Sequence, residues 1–359
     1  VLAEGRDHLA KTRLVGLRVL VLAAIAVAFS ASAATPKKKS VAKAPAKKSL
    51  VSKAPAKPAA PVETAHRKTP YVGAISVDAA TGRVLFEDKA DAEAYPASVT
   101  KLMTLLLVME DVKAGKYGFD DKVEATADAY KSEPSWVGIK VGEKMSVRDL
   151  CAALMVESAN DAAIVLGVHA SGSFDAFVAR MNARALELGM KNTKYFNPNG
   201  LPPNPGRRYP WKNFNVSTAA DQLKLVVQLL KYPEILEFTS VKTADLVKTP
   251  DGYRVSVTRQ VNRPIRTTRL WPGESLVKNL RNHNNVMVKD KKKVYGPDGK
   301  ESVDGLKTGY IDAGGSSVVL TGTRKGKRAI VVVLGSSSAK ERDAQAQRLM
   351  NDALGSLAW

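Results

Sequence analysis

The sequence predicts an α+β fold in which one antiparallel sheet is closed by strands from both ends of the folded region, with a helical subdomain inserted between them. Three observations carry this. Two β-prone runs flank a Gly-containing turn within residues 71–88, helical patterns dominate residues 98–235, and three strand-like runs followed by a helix occupy residues 303–354.

The front of the chain stands apart. Of a formal net charge of +20, residues 1–69 hold 14 Lys+Arg against 3 Asp+Glu, a net of +11, which leaves +9 for residues 70–359. A basic arm on a mildly basic globule argues against a nucleic-acid surface spread over the protein. Arg6, Lys11, Arg13 and Arg18 precede the apolar run Val19–Phe29 and then Ser30-Ala31-Ser32-Ala33. This is the pattern of a secretory signal peptide covering residues 1–33, cleaved after Ala33. The run is shorter than the ~20 residues of a membrane span, and an uncleaved anchor is the alternative. Residues 34–69 are almost all Lys, Ala, Pro and Ser, which cannot bury a core and stay extended. Two readings stand for this linker: contact with an anionic membrane or wall polymer, or a plain spacer. The single cysteine, Cys151, allows no internal disulfide and sits in an apolar helical pattern as core filler.

Taken in order, Tyr71–Asp78 and Arg83–Asp88 form a hairpin around Gly82. Pro96 then opens a helix that ends near Gly115; its body, Leu102–Met109, is apolar almost all round and is therefore a buried central helix. Residues 119–235 are mostly helical, with loops at Lys131–Gly142 and Asn197–Phe214 and a Ser/Thr-capped helix at Ser217–Leu230. From Val241 the period changes to strands, with a hairpin around Pro250-Asp251-Gly252. Val303–Tyr310, Ser316–Thr323 and Arg328–Gly335 are three consecutive strands, and Ala339–Leu354 is a closing helix whose Leu349, Met350, Ala353 and Leu354 face the core. Asp290–Lys300 is a basic exposed loop.

Ser98 and Lys101 lie one helical turn apart on one face. A lysine partly desolvated at the start of a buried helix loses preference for its charged form and can accept a proton from the serine. Alone, the pair equally describes an N-terminal Ser and a solvated Lys. Two further triplets follow: Ser158-Ala159-Asn160 and Lys307-Thr308-Gly309, the latter on a strand where the glycine lets a ligand backbone lie close to the edge. Each is common; in the order Ser-x-x-Lys, Ser-x-Asn, Lys-Thr-Gly they are specific. Of the four histidines, only His169 and His283 fall in the globular part, both read as structural, and no G-x-S-x-G elbow or metal-ligand spacing is present, so no cofactor or metal is expected.

With these motifs, and with Phe196–Leu201 (FNPNGL) and Gly305–Tyr310 (GLKTGY), residues 71–354 resemble the D-alanyl-D-alanine carboxypeptidases, the low-molecular-mass penicillin-binding serine peptidases. The resemblance implies a penicillin-binding/β-lactamase-like transpeptidase fold, an α/β/α sandwich, for residues 70–359. It also implies an enzyme that removes the terminal D-alanine from peptidoglycan stem pentapeptides through an acyl-enzyme and is inhibited covalently by β-lactam antibiotics. Carried over by residue, Ser98 is the nucleophile and Lys101 its base. Ser158 relays a proton to the leaving group, and Asn160 holds Lys101 and the substrate amide. Lys307 keeps Lys101 deprotonated; Thr308, with Lys307 and Arg342, binds the substrate carboxylate; Gly309 leads into Tyr310, whose N–H joins that of Ser98 in an oxyanion hole. A bacterial periplasmic or envelope location follows from the signal. The C-terminal β-domain and amphipathic membrane helix of longer members are not expected here.

Three rivals share these residues. A D,D-endopeptidase would cut cross-links with the same site. A class A β-lactamase would need a Glu after the second motif, and Glu187 lacks its Glu-x-x-Leu-Asn setting. An inert wall-binding scaffold would not be expected to keep all of Ser98, Lys101, Ser158, Asn160 and Lys307.

Overall fold

The structure, a computed structural model, describes residues 70–129, 132–203, 213–288 and 303–357. The signal and linker assignments and the 290–300 loop lie outside the described residues. In chain order the elements are β1 (Gly73–Asp78), β2 (Val84–Asp88), a 3-10 turn (Ala97–Thr100), α1 (Lys101–Lys113), β3 (Lys122–Glu124), β4 (Lys144–Ser146), α2 (Val147–Val156), α3 (Asn160–Ser171), α4 (Phe174–Glu187) and α5 (Ala219–Leu229). They continue with α6 (Leu236–Thr239), β5 (Val241–Thr249), β6 (Gly252–Gln260), β7 (Ser275–Arg281), α7 (Asn285–Val288), β8 (Val303–Ile311), β9 (Gly315–Arg324), β10 (Lys327–Ser336) and α8 (Ala339–Leu357).

The expected sheet is present, in the order β2-β1-β10-β9-β8 and antiparallel throughout. The N-terminal hairpin thus meets the C-terminal strands, with Ile75 opposite Val332 and Lys307 opposite Val319. The unbroken apolar run of β10 follows from burial on both faces. Ile330, Val332 and Leu334 enter the core shared with α1, α2 and α5, whereas Ala329, Val331 and Val333 enter a second core under α8. Leu349, Met350, Ala353 and Leu354 of α8 close that second core. The result is the helix–sheet–helix sandwich.

Helix α1 is the axis of the larger core. Every residue from Lys101 to Met109 is buried, so truncating one leucine there costs about 2–5 kcal/mol. Caps set the helix starts: Ser146 Oγ accepts from Asp149 N at 3.0 Å to begin α2, and Thr218 Oγ1 accepts from Asp221 N at 3.1 Å to begin α5.

One expectation needs correction. There is not one sheet but two, the second in the order β3-β4-β6-β5-β7. The hairpin β5–β6 belongs to it, and three of its strands, β3, β4 and β7, were not anticipated. β3 and β4 have three residues each, too few to display a period, and β7 is an exposed edge with one buried residue, Leu280. This sheet lies beside α2, joining Ala244, Leu246 and Leu280 to the core.

Candidate active site

The 3-10 turn that carries Ser98 is held in an uncommon conformation. Ala97 has φ +49°, a left-handed value that costs a non-glycine residue about 1–3 kcal/mol unless its surroundings impose it. They do so from two sides. A Cβ on Gly309 would lie 2.5 Å from Pro96 O and 3.0 Å from Ser98 N, and one on Gly200, itself at φ +85°, would lie 1.9 Å from Ala97 O. The Cβ side of Gly309 is therefore filled by the serine turn of this chain, while the residue also lines the cleft. The same contact sets the Ser98 backbone against β8 next to Tyr310.

Lys101, the first residue of α1, is fully buried. Its Nζ donates to Asn160 Oδ1 and to Asn199 O, both at 2.7 Å, and lies 2.9 Å from Ser98 Oγ. With the amine neutral, these two acceptors take its two N–H groups and leave the lone pair to the Ser98 hydroxyl; with it charged, the third N–H is donated to Ser98 Oγ. Burial, and then the charge of Lys307, push this amine well below the usual lysine range, against a smaller opposing pull from Asp161. The predicted hydroxyl–amine pair is formed, and burial and the Lys307 charge both shift its amine toward the neutral form.

The second motif bridges α2 and α3. Ser158 lies between the two helices at φ +62° and is almost buried, while Asn160 begins α3. Asn160 ties the walls together: its N donates to Ser135 O and its Nδ2 to Glu133 O, each at 2.8 Å. Asp161, not singled out in the sequence, accepts from the N–H groups of Val137, Gly138 and Ile139 at 3.2, 2.8 and 3.1 Å. It thereby staples the 133–139 segment, whose Pro134 and Ser135 line the cleft.

Lys307 and Thr308 sit on β8, an edge strand of the first sheet. Lys307 is buried behind the cleft wall, donates to Thr308 O at 2.9 Å, and is lowered to about 7 by burial and then by the Arg342 charge. Arg342 of α8 reaches the cleft, but Asp343 Oδ1 already holds its Nε and Nη2 at 2.9 and 2.6 Å. Tyr310 is exposed and its hydroxyl donates to Asp312 at 2.6 Å.

These residues surround a cleft of ≈ 280 Å³ lined by Ser98, Ser158, Asn160, Thr308, Gly309, Tyr310 and Arg342 among others, with no carboxylate among the described lining residues. His283 lines it too. Read from the sequence as structural, it stands at the cleft with its imidazole held below the usual range by desolvation and by Lys307, Lys101, Lys278 and Arg342. Its neighbours Asn282, Asn284 and Asn285 form no motif that would have marked it. The FNPNGL stretch had no assigned role; it supplies the Asn199 carbonyl to Lys101 and the Pro198 carbonyl to Thr104 Oγ1 at 2.8 Å.

The alternatives read from the sequence lie elsewhere. Glu187 pairs with Arg184 at 2.8 Å and is not in the cleft. His169 packs on the Tyr117 ring, and Cys151 is buried, with its thiol pushed up by burial. Among the described residues no three His, Cys, Asp or Glu side chains converge as metal ligands. A larger hollow, ≈ 770 Å³, lies by the β1–β2 turn and the ends of α5 and α8, away from Ser98 and Lys101.

Comparison with known proteins agrees with this geometry. The sequence profile of the D-alanyl-D-alanine carboxypeptidase family matches residues 62–338. The chain is 31% identical over 278 residues to the D-alanyl-D-alanine carboxypeptidase DacF of Bacillus subtilis, covering 77% of this chain and 60% of that protein. The chain thus spans about three-fifths of the length of the curated relatives it matches. Among solved structures, the D-alanyl-D-alanine carboxypeptidase DacD of Francisella tularensis superposes with a TM-score of 0.67 at 27% identity, over 83% of this chain and 74% of that one. Penicillin-binding protein D2 of Listeria monocytogenes, solved in its cefotaxime-bound form, gives 0.59 at 29% identity, over 80% of this chain and 98% of that one. Motifs, sandwich and profile agree, and the chain belongs to the D-alanyl-D-alanine carboxypeptidase family.

Proposed function

We propose that the chain is a serine D,D-carboxypeptidase that removes the terminal D-alanine from peptidoglycan stem peptides. The observation that carries this is the fully buried Lys101 amine, 2.9 Å from Ser98 Oγ and held there by Asn160 Oδ1 and Asn199 O. Ser98 Oγ attacks the carbonyl between the two D-alanines as Lys101 takes its proton. The tetrahedral oxyanion is met by the backbone N–H groups of Ser98 and Tyr310. As the C–N bond breaks, Ser158 relays a proton to the leaving amine, D-alanine departs, and water hydrolyses the acyl-enzyme. Asn160 fixes the amine, and Thr308, Lys307 and Arg342 supply the positive end of the cleft that takes the substrate carboxylate. β-Lactams would acylate the same Ser98, a reading supported by the cefotaxime-bound relative.

We assign the protein to the bacterial envelope, with residues 1–33 as export signal and 34–69 as a basic spacer able to lie on anionic surfaces. Mass spectrometry of purified muropeptides tests the activity. Loss of one alanine from pentapeptide monomers, absent with Ser98→Ala, is expected. Conversion of cross-linked dimers to monomers would make it an endopeptidase instead, and no change in either would make it a binding protein.

A further inference from the structure

We infer that the β6–β7 connection and β7 form a membrane-docking face that binds anionic phospholipid bilayers, independently of residues 1–69. The face combines two properties that seldom meet on a water-exposed surface. Ile265, Leu270, Trp271, Leu276 and Val277 are 76, 45, 54, 51 and 51% exposed. They fall within 13 residues of one another, in the connection and its exposed edge strand, where the consecutive Leu276 and Val277 point to opposite sides of the sheet edge. Scattered exposed hydrophobics need no explanation, but five in one short exposed segment favour an interaction site.

The same segment is strongly basic. Residues 252–288 hold seven Lys+Arg against one Asp+Glu, a net of +6 out of the +9 carried by residues 70–359. The one acid, Glu274, is taken by Arg254 at 2.6 Å. Lys278 is paired with Glu157, but Arg259, Arg263, Arg266 and Arg281 form no ion pair among the described residues. Arg269 stands over the Trp271 ring, 4.4 Å from its centroid, so a cation and an amphipathic ring are held as one unit.

A hydrated polyanion would match the charges and leave the five apolar side chains wet. The interface of an anionic bilayer takes both: acyl chains receive Ile, Leu and Val, Trp sits at headgroup depth, and arginines meet phosphate. Because Lys278 of β7 is paired with Glu157, next to Ser158, and His283 follows β7 into the cleft, docking would set one wall of the cleft beside the membrane.

A nitroxide on Leu270→Cys in the full chain tests this, since the native Cys151 is buried. Leu186→Cys on α4, where the leucine is 75% exposed, is the control. On phosphatidylglycerol vesicles the label at 270 is expected to gain oxygen accessibility and lose accessibility to a nickel chelate, while the label at 186 does not change. Neither should respond to phosphatidylcholine. Adding Arg263→Gln, Arg266→Gln and Arg269→Gln should weaken the effect on the order of fivefold for each arginine. All variants should keep covalent penicillin binding, which reports folding. If the label at 270 stays in water while the chain sediments with the vesicles, binding resides in residues 1–69 and the proposal fails. It fails equally if soluble poly(glycerol phosphate) restricts the label and vesicles do not, which would make the partner a wall polymer.

Discussion

Lys101 Nζ lies 2.7 Å from Asn160 Oδ1, and this contact between residues 59 apart in the chain fixes the direction of the amine. Replacing Asn160 with Ala frees one N–H, so the lone pair no longer has a unique orientation. Acylation by a fluorescent penicillin is expected to slow on the order of 10²-fold, as for a reacting group misplaced by about 1 Å, with the fold retained by circular dichroism.

Lys307 acts on Lys101 through its charge. The acylation rate should rise with pH as Lys101 loses its proton. Burial lowers the Lys101 pKa, and the Lys307 charge lowers it further, so Lys307→Gln removes one of the two causes. The rising limb should therefore move to higher pH in Lys307→Gln. A second, falling limb near pH 7 in the wild type, where Lys307 itself is lowered to about 7, should disappear in that variant. Stopped-flow acylation across pH reads both.

Asp161 is buried and serves three backbone N–H groups of the 137–139 segment. Asp161→Ala leaves those donors without their charged acceptor, which should cost about 3 kcal/mol or more and lower Tm by roughly 6–12 °C. Because the cleft-lining Pro134 and Ser135 lie just before these residues, kcat/KM should fall too. Calorimetry together with peptide hydrolysis separates the two effects.

Gly309→Ala would set a methyl group 2.5 Å from Pro96 O, so the serine turn must shift. The expected outcome is a loss of acylation on the order of 10²-fold with a smaller loss of stability, since the strand keeps its pairing to β9. Thermal melts and acylation rates of the one variant check this.

Much of this was legible in the sequence because its signals are local. The Tyr71–Asp88 hairpin, the apolar body of α1 and the β8–β9–β10 run declare themselves by period, and the three motifs by spacing. The second sheet does not: β3 and β4 are too short to show a period, and β7 is exposed along most of its length and shows no alternation. Within the site, Ser98 and Lys101 are neighbours in sequence, whereas the roles of Gly309, Gly200 and Asp161 arise from contacts across the fold. His283 reads as structural in the sequence because nothing around it in Arg281–Asn285 marks the place at the cleft that the fold gives it. A glycine in a motif says that something comes close; only the packing says that it is the turn of Ser98.

The central claim, that Ser98 is a nucleophile activated by a neutral Lys101, is tested most directly by intact-protein mass spectrometry after benzylpenicillin treatment, followed by tryptic mapping. The expected result is one adduct on the peptide covering residues 90–101. It should be absent from Ser98→Ala, and in Lys101→Ala it should form more slowly by on the order of 10²–10⁴. An adduct mapped to any other residue, or Lys101→Ala acylating at the wild-type rate, would contradict it.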